Sequence, residues 1–289
     1  GVTTESQLLT LSINNEDFRQ SVSYLRNSGQ PLQSITTKGS AATSVQNAKD
    51  VVHPIVFDEL NRSERSYLPY VSSQGSGIFI SDAVSAQIAF YNNPSDKITD
   101  DSAPYADTKF ESSPLSRVVG RGDFGAAYQL NTNGDTRIAY NVDGQNDLGD
   151  IRQWATTGSL PSSSTYWPSS ILEVVTSTDP SGIQSQTITN SHGLKLVERR
   201  EVTAGVMAET YFVYDEQDQL RFILPPELVR IIKTPSLRNP TQTEIDAWAF
   251  QMVYDSQGRL VESRSPGSSW VYHIYDTRDR LVLTQDGKQ

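Results

Sequence analysis

Three segments in the last third of the chain follow one template, and this repetition constrains the fold more than any other feature. Each has an apolar residue before Tyr-Asp, a short polar turn, and then Leu in a second β-rich run. They are FVYDEQDQLRFILPP (212–226), MVYDSQGRLVESRSP (252–266) and HIYDTRDRLVLTQDG (273–287). A hairpin of this size cannot bury its apolar face alone, so neighbouring hairpins must stack into a continuous sheet.

Each position of the repeat has a physical role. The tyrosine is expected to pack on the strand face, and the aspartate to accept backbone N–H bonds of the turn. Gly258, and Asp279 at the matching place, permit a left-handed residue in the turn. We predict a structural role for Tyr214, Asp215, Leu220, Tyr254, Asp255, Gly258, Leu260, Tyr275, Asp276 and Leu281.

Weaker copies of the repeat occur upstream. They are Asp58 followed by Leu60-Asn61-Arg62, Asn190 followed by Gly193-Leu194, and Tyr24 followed by Gly29 and Leu32. Asp179-Pro180-Ser181-Gly182 is predicted to be a plain turn.

The remaining pattern is that of short strands and a few helices. Turn residues between β-rich runs predict hairpins over 21–37, 51–70 and 126–143. Helices are predicted over 83–91, 225–233 and 241–252, the last because Thr241 and Glu244 form a capping box. We therefore expect a mainly β fold, in which antiparallel hairpins of the repeat type stack into an extended twisted sheet with two or three short helices.

The serine-rich stretch 158–170 (GSLPSSSTYWPSS) is the best internal boundary, because its Gly, Pro and Ser content disfavours regular structure. It suggests a leader over 1–20, an N-terminal β-rich domain over 21–160, and a repeat region over 171–289 with a helical insertion near 241–252. The alternative is one continuous sheet in which this stretch is a long loop.

Composition excludes several classes of function. The chain has no Cys, so disulfide frameworks, thiolate nucleophiles and zinc knuckles are impossible. A formal net charge of −10 argues against nucleic-acid binding, and no apolar run approaches the ~20 residues of a membrane span. The chain begins at Gly1 without Met or an apolar signal core, which suggests a processed or recombinant piece. Composition is compatible with secretion and with the cytoplasm.

No catalytic or metal-binding pattern emerges from the polar residues. His53, His192 and His273 lack a second ligand at metal spacing, and no Gly-x-Ser-x-Gly motif occurs. A calcium loop or a hydrolase is suggested by the carboxylates of Asp100-Asp101, Asp143, Asp147 and Asp150. However, the loop lacks the terminal Glu of a calcium site, and a solvated loop is the simpler interpretation. We predict no enzyme activity, catalytic residue, cofactor or metal, and a carboxylate hydrolase is the least favoured alternative.

Aromatic residues provide the binding alternative. Trp154, Tyr166 and Trp167 could stack on a ligand such as a sugar ring, which would make the chain a carbohydrate- or protein-binding surface module. The competing interpretation is that Trp248 and Trp270 belong to the core and that Tyr166-Trp167 anchors the serine-rich stretch.

The Tyr-Asp repeats resemble those of the YD-repeat, or rearrangement hot spot (RHS), family of bacterial surface and secreted proteins. PYADTKFESSPLSRVVGRGDFG (104–125) and FDELNRSERSYLPY (57–70) are similar to the uncharacterised domain at the head of many such chains. The resemblance covers about residues 20–289. It implies an N-terminal structural segment of a large secreted or cell-surface protein, whose β-sheet shell encloses or presents a C-terminal effector. The implied partner is the rest of its own chain, with surface glycans or proteins as alternatives. Three clean repeats are too few to close a shell.

Overall fold

The computed structural model describes residues 20–41, 47–74, 76–93, 100–142, 151–157, 160–168, 170–233 and 238–287. The chain divides into two compact units, Gly1–Arg137 and Ile138–Gln289. The predicted limits of folding domains, at 1–20, 21–160 and 171–289, stay a prediction. Residues 1–19 of the expected leader lie outside the described part of the chain.

The N-terminal unit consists of short antiparallel strands and one helix. Its elements are β1 (Ser21–Leu25), β2 (Pro31–Thr36), β3 (Val51–Val56), β4 (Arg65–Tyr67), β5 (Tyr70–Val71), α1 (Ala83–Tyr91), β6 (Tyr105–Phe110), β7 (Val118–Arg121) and β8 (Thr136–Val142), which crosses the unit boundary. Strand β3 pairs with β2, β4 and β5, and β6 pairs with β4 and β7. Helix α1 covers these strands, and the core comprises Ile35, Val52, Tyr70, Ile80 and Ala83.

Two of the three predicted hairpins are confirmed in this unit. The 21–37 hairpin is the β1–β2 pair, and the 51–70 hairpin is the β3–β4 pair. The prediction for 126–143 is wrong in its first arm, where residues 126–128 form a 3-10 turn. The reason is that carboxylates take the backbone N–H groups that a strand would use: Leu130 donates to Asp107, and Asn131 donates to Asp135.

The C-terminal unit is an antiparallel meander with a separate hairpin. Its elements are β9 (Arg152–Thr157), β10 (Leu160–Tyr166), β11 (Glu173–Thr178), β12 (Gln184–Thr189), β13 (Lys195–Thr203), β14 (Val206–Tyr214), β15 (Leu220–Leu224), α2 (Pro226–Lys233), α3 (Gln242–Trp248), β16 (Phe250–Tyr254), β17 (Leu260–Arg264), β18 (Val271–Tyr275) and β19 (Leu281–Gln285). From β11 to β19 each strand pairs with the next, while β9 pairs with β10.

The core of this unit lies where the helices meet the sheet. Alternate residues of a strand face the same side of the sheet. Tyr211 and Val213 of β14 are therefore buried together, and so are Phe222 and Leu224 of β15. Apolar residues at helical spacing complete the core from α2 and α3, namely Leu228, Val229, Ile232 and Ile245. The helical insertion between β15 and β16 therefore supplies part of this core.

Helix α3 begins as predicted but ends earlier. Thr241 Oγ1 accepts a hydrogen bond from the Glu244 backbone N–H, and a Glu244 carboxylate oxygen accepts one from the Thr241 N–H at 2.9 Å. The predicted end at residue 252 is wrong because Phe250–Tyr254 pairs with β17 as a strand.

The serine-rich stretch is more regular than its composition suggests. Leu160–Tyr166 forms β10, and Ser163 is only 8% exposed. Its backbone N–H donates to Asn239 Oδ1 at 2.9 Å, and its carbonyl accepts from Arg152 Nη2 at 2.8 Å. Distant polar side chains thus satisfy the backbone of a segment that was expected to be irregular.

The mainly β fold class is confirmed. The described residues form a large antiparallel sheet with three α-helices, and they show no closed barrel. None of the described helices is long and apolar enough to cross a membrane.

Candidate functional site

One turn geometry recurs in all three predicted repeats. In the turn after Tyr254, Asp255 Oδ1 accepts the backbone N–H groups of Gln257 and Arg259 at 2.9 and 3.0 Å. The Asp255 N–H donates to the Arg259 carbonyl, and the Gly258 N–H donates back to the Asp255 carbonyl. Asp215 and Asp276 form the same four bonds. The aspartate of each repeat therefore accepts backbone N–H groups of its own turn.

Six described turns share this pattern. They begin at Asp58, Asp179, Asn190, Asp215, Asp255 and Asp276. Their fourth residue has a φ between 57° and 82° in every case: Asn61, Gly182, Gly193, Asp218, Gly258 and Asp279. The turn expected at Asp179 has the same hydrogen bonds as the turns of the repeats.

The weak copy after Tyr24 keeps the backbone part of the turn. The Arg26 N–H donates to the Gln30 carbonyl, and the Gly29 N–H donates to the Arg26 carbonyl. Arg26 occupies the place of the aspartate, so the side-chain acceptor of the other turns is replaced by a cation.

Two of the turn carboxylates, those of Asp255 and Asp276, have a lowered pKa. Hydrogen bonds from the Arg259 backbone and then its side chain lower the pKa of Asp255, although desolvation opposes this. The Arg280 backbone and side chain lower the pKa of Asp276 in the same way. The paired arginine therefore favours the ionised carboxylate that the turn needs as an acceptor.

The repeat tyrosines occupy equivalent positions at the ends of β14, β16 and β18. Each lies opposite the repeat leucine after a register shift, in the pairs Tyr214–Leu220, Tyr254–Leu260 and Tyr275–Leu281. All three rings are half-buried, so they are less buried than core tyrosines. The Tyr214 hydroxyl donates to the Lys195 carbonyl at 3.1 Å, and the Tyr275 hydroxyl donates to the Leu260 carbonyl at 3.0 Å. These two rings therefore tie one hairpin to the preceding one.

Polar side chains link consecutive turns along the same edge. Arg259 Nη1 donates to Asp279 Oδ1 at 2.7 Å, and its guanidinium lies 5.2 Å from the centre of the Tyr275 ring. His192 Nδ1 lies 3.2 Å from Asp218 Oδ2, which joins the turn at 190–194 to the one at 215–219. The turns at 190–194, 215–219, 255–259 and 276–280 therefore form a stacked series, which we call the turn ladder.

A cavity in the C-terminal unit brings together two of the predicted stacking residues. It has a volume of about 170 Å³ and is lined by Trp154, Trp167, Tyr211, Arg152 and neighbouring side chains. The Trp154 and Tyr211 rings meet edge to face at 6.0 Å. Tyr166 is 44% exposed and lies outside this lining. Ligand stacking by Trp154, Tyr166 and Trp167 stays a prediction.

Two of the other polar candidates have local partners. Asp101 accepts the backbone N–H groups of Ala103 and Ala126, and His273 Nε2 lies 3.1 Å from the Ser263 hydroxyl. Within the described residues no group of three His, Asp or Glu side chains could hold a metal ion. Asp143, Asp147 and Asp150 lie outside the described part of the chain.

The stacked hairpins and their shared turn define a fold related to that of RHS and YD-repeat proteins. Comparisons support this class. The crystal structure of TcdB2-TccC3 aligns with a TM-score of 0.58 and 16% identity, covering 93% of this chain and 11% of that one. A structure of the Photorhabdus luminescens Tc holotoxin pore aligns with a TM-score of 0.55 and 14% identity, with the same coverage of each chain. This chain thus spans about a ninth of those solved chains.

Within that class, the N-terminal part has a more specific similarity. Residues 2–142 match the family described as a domain of unknown function (DUF6443). No curated protein matches the chain significantly.

Proposed function

We propose that this chain is a non-enzymatic structural segment near the N-terminal end of a much larger, exported YD-repeat protein. Its sheet would form part of a shell that encloses or presents a C-terminal effector of a secreted or cell-surface bacterial protein. The observation that carries this proposal is the turn ladder. Identical turns in consecutive hairpins extend a sheet, as the wall of a shell requires, and they do not form a reaction centre.

Two further findings support the proposal. The chain aligns over nearly its whole length with a small part of much longer chains from toxin complexes. Three side chains that were considered for catalysis, Asp101, His192 and His273, have structural partners in turns and strands. Both findings are consistent with a structural role of this segment in the wall of a shell. Its partner would then be the remainder of the same chain.

The test uses the longest natural chain that contains this sequence. Electron cryomicroscopy should place residues 171–289 in the wall of a hollow shell. Deleting the hairpin 250–266 should leave the C-terminal domain more sensitive to protease than in the undeleted chain. A C-terminal domain that is equally sensitive in both chains would contradict the enclosing role.

A binding role is the second candidate, because Trp154 and Trp167 line one cavity. A glycan array compares the unaltered chain with Trp154→Ala and Trp167→Ala. Reproducible binding that both variants lose would favour a carbohydrate-binding module, and the absence of binding would favour the wall.

A further inference from the structure

Three of the six described turns have arginine at the fifth place, directly after the left-handed residue. They are the turns with Arg62, Arg259 and Arg280. Each of these arginines donates from Nε to Oδ2 of the aspartate that begins its own turn, at 2.8, 2.7 and 2.7 Å. Because the same bond orients all three guanidinium groups, each has Nη1 left for a partner outside its own turn.

Arg259 finds that partner in the hairpin that follows it. Its guanidinium lies 5.2 Å from the centre of the Tyr275 ring, and its Nη1 donates to Asp279 Oδ1 at 2.7 Å. Tyr275 is the last residue of β18, and Asp279 is the left-handed residue of the next turn, with a φ of 57°. The following hairpin therefore supplies a ring to the flat face of the guanidinium and an oxygen atom to its edge.

Arg62 in the N-terminal unit has partners of the same kind. Its guanidinium lies 4.6 Å from the centre of the Phe110 ring, and its Nη1 donates to Ser116 Oγ at 3.2 Å. Phe110 is the last residue of β6, and Ser116 is a left-handed turn residue with a φ of 50°. In each unit, then, an aromatic residue at a strand end and a side-chain oxygen on the left-handed residue of the following turn bind one arginine. We call this pair of groups the arginine socket.

Arg280 lacks such a socket. Among the described residues, its side chain bonds only to Asp276 of its own turn. The side chain is 69% exposed, whereas those of Arg62 and Arg259 are 21% and 27% exposed. The guanidinium is therefore oriented by its own turn, as in the other two cases, while its outer side is open to solvent.

The residue that faces the fifth place differs between two junctions of the turn ladder. A Cβ built on Gly258 would lie 3.2 Å from Nε2 of Gln219, which holds the fifth place in the turn at 215–219. In the next junction the fifth place is Arg259, and the facing residue is Asp279. A neutral fifth residue thus faces glycine, and an arginine faces a carboxylate. By charge complementarity, Arg280 fits a turn with an acidic fourth residue.

The residue at the sixth place supplies a backbone carbonyl to the next hairpin. The Lys195 carbonyl accepts the Tyr214 hydroxyl at 3.1 Å, and the Leu260 carbonyl accepts the Tyr275 hydroxyl at 3.0 Å. In the last turn the sixth place is Leu281, which is 52% exposed. The aromatic residue that fits beside this turn is therefore a tyrosine.

We propose that the last turn and β19 form a docking surface for one further hairpin of defined chemistry. This hairpin ends its first strand in tyrosine and carries an acidic side chain at the left-handed fourth residue of its turn. The tyrosine ring packs on the Arg280 guanidinium, its hydroxyl donates to the Leu281 carbonyl, and the carboxylate accepts from Arg280 Nη1. The inference rests on the proposed wall role, because it names the chemistry of the neighbour that the wall requires.

The test extends the chain by a copy of residues 269–287, placed directly after Gln289. The copied tyrosine then follows Tyr275 by 21 positions, which is the spacing between Tyr254 and Tyr275. Amide hydrogen exchange of residues 281–285 is measured in the extended and the unextended chain, and the ratio of the rates is the protection gained on extension. We expect a gain of at least about tenfold, because an edge strand becomes an inner strand.

Two substitutions should each reduce this gain by at least about threefold. Arg280→Gln removes the cation that stacks on the ring and pairs with the carboxylate. Asp279→Gly in the copy alone removes the acceptor without straining the left-handed backbone. In a chain that already carries Arg280→Gln, the glycine should have no further effect, since the two groups act as a pair.

Arg278→Gln is the matched control. Arg278 is an exposed arginine of the same turn, so its replacement changes the charge equally and should leave the gain unaltered. Each variant is compared with its own unextended chain, so that the loss of the bond between Arg280 and Asp276 cancels.

Two negative results have different meanings. If the intact copy does not slow the exchange of residues 281–285, hairpins do not stack on β19, and both the wall role and this inference fail. If the copy gives full protection with Arg280→Gln, or if Arg278→Gln reduces the gain as much, only the arginine socket is overturned and the wall role stands.

Discussion

The shared turn predicts a defined cost for adding a side chain at its fourth position. Gly193 has a φ of 77°, and a Cβ built there meets no atom within 4 Å. The cost of Gly193→Ala is therefore conformational and not steric. A left-handed backbone disfavours residues with a Cβ by roughly 1–2 kcal/mol, so we expect the free energy of unfolding to fall by about that amount.

Asparagine should be tolerated better than alanine at this position. Asn61, Asp218 and Asp279 occupy it in three of the six described turns, with φ between 57° and 61°. Short polar side chains can hydrogen-bond locally in this conformation, which reduces its cost. Gly193→Asn should therefore lose less stability than Gly193→Ala.

Urea unfolding followed by circular dichroism measures these differences as shifts of the midpoint at a constant slope. Ser191→Ala is the matched control, because Ser191 is exposed in the same turn and does not have a left-handed backbone. Its effect should stay within about 0.5 kcal/mol. The reasoning fails if Gly193→Ala is no more destabilising than Ser191→Ala, or if asparagine costs as much as alanine.

Three further predictions concern packing, pH and the last strand. Ile245 is fully buried on α3, so Ile245→Ala should lower the free energy of unfolding by about 2–5 kcal/mol in urea. Side-chain hydrogen bonds from Arg238 and then the Thr241 backbone lower the pKa of Glu244 from 4.5 to about 2. The stabilisation that the ionised Glu244 carboxylate contributes should be present above pH 4.5 and be lost as the pH falls towards 2. The thermal midpoint of Glu244→Gln should therefore change less with pH in that window than the midpoint of the unaltered chain. All five residues of β19 are exposed, and hydrogen exchange of residues 281–285 should be slower in a chain extended by two further repeats, if those repeats pair with β19.

Local features of the fold were predictable from the sequence. The turn at Asp255 depends on its own carboxylate and on Gly258, so a five-residue pattern contains the required information. The turn at Asp179 has the same hydrogen bonds, but Thr178 stands where the three clean repeats have tyrosine. The tyrosine thus identified the repeats in the sequence, although the turn does not require it.

Features that depend on distant contacts were not predictable. Strand β10 is stabilised by Asn239, which bonds to Ser163 across 76 positions of the chain. The cavity likewise joins Arg152 and Trp154 to Tyr211, and no spacing rule connects a β9 residue with one on β14. The aromatic pattern indicated Trp154 and Trp167 but missed both Arg152 and Tyr211.

The turn ladder has a consequence for how such a chain can change in length. The contacts Arg259–Asp279, His192–Asp218 and Tyr275–Leu260 each join a hairpin only to an adjacent strand or turn. Stability in such an arrangement is a sum of unit terms and nearest-neighbour terms. A hairpin can therefore be duplicated or lost as one genetic unit without redesign of distant parts of the sheet.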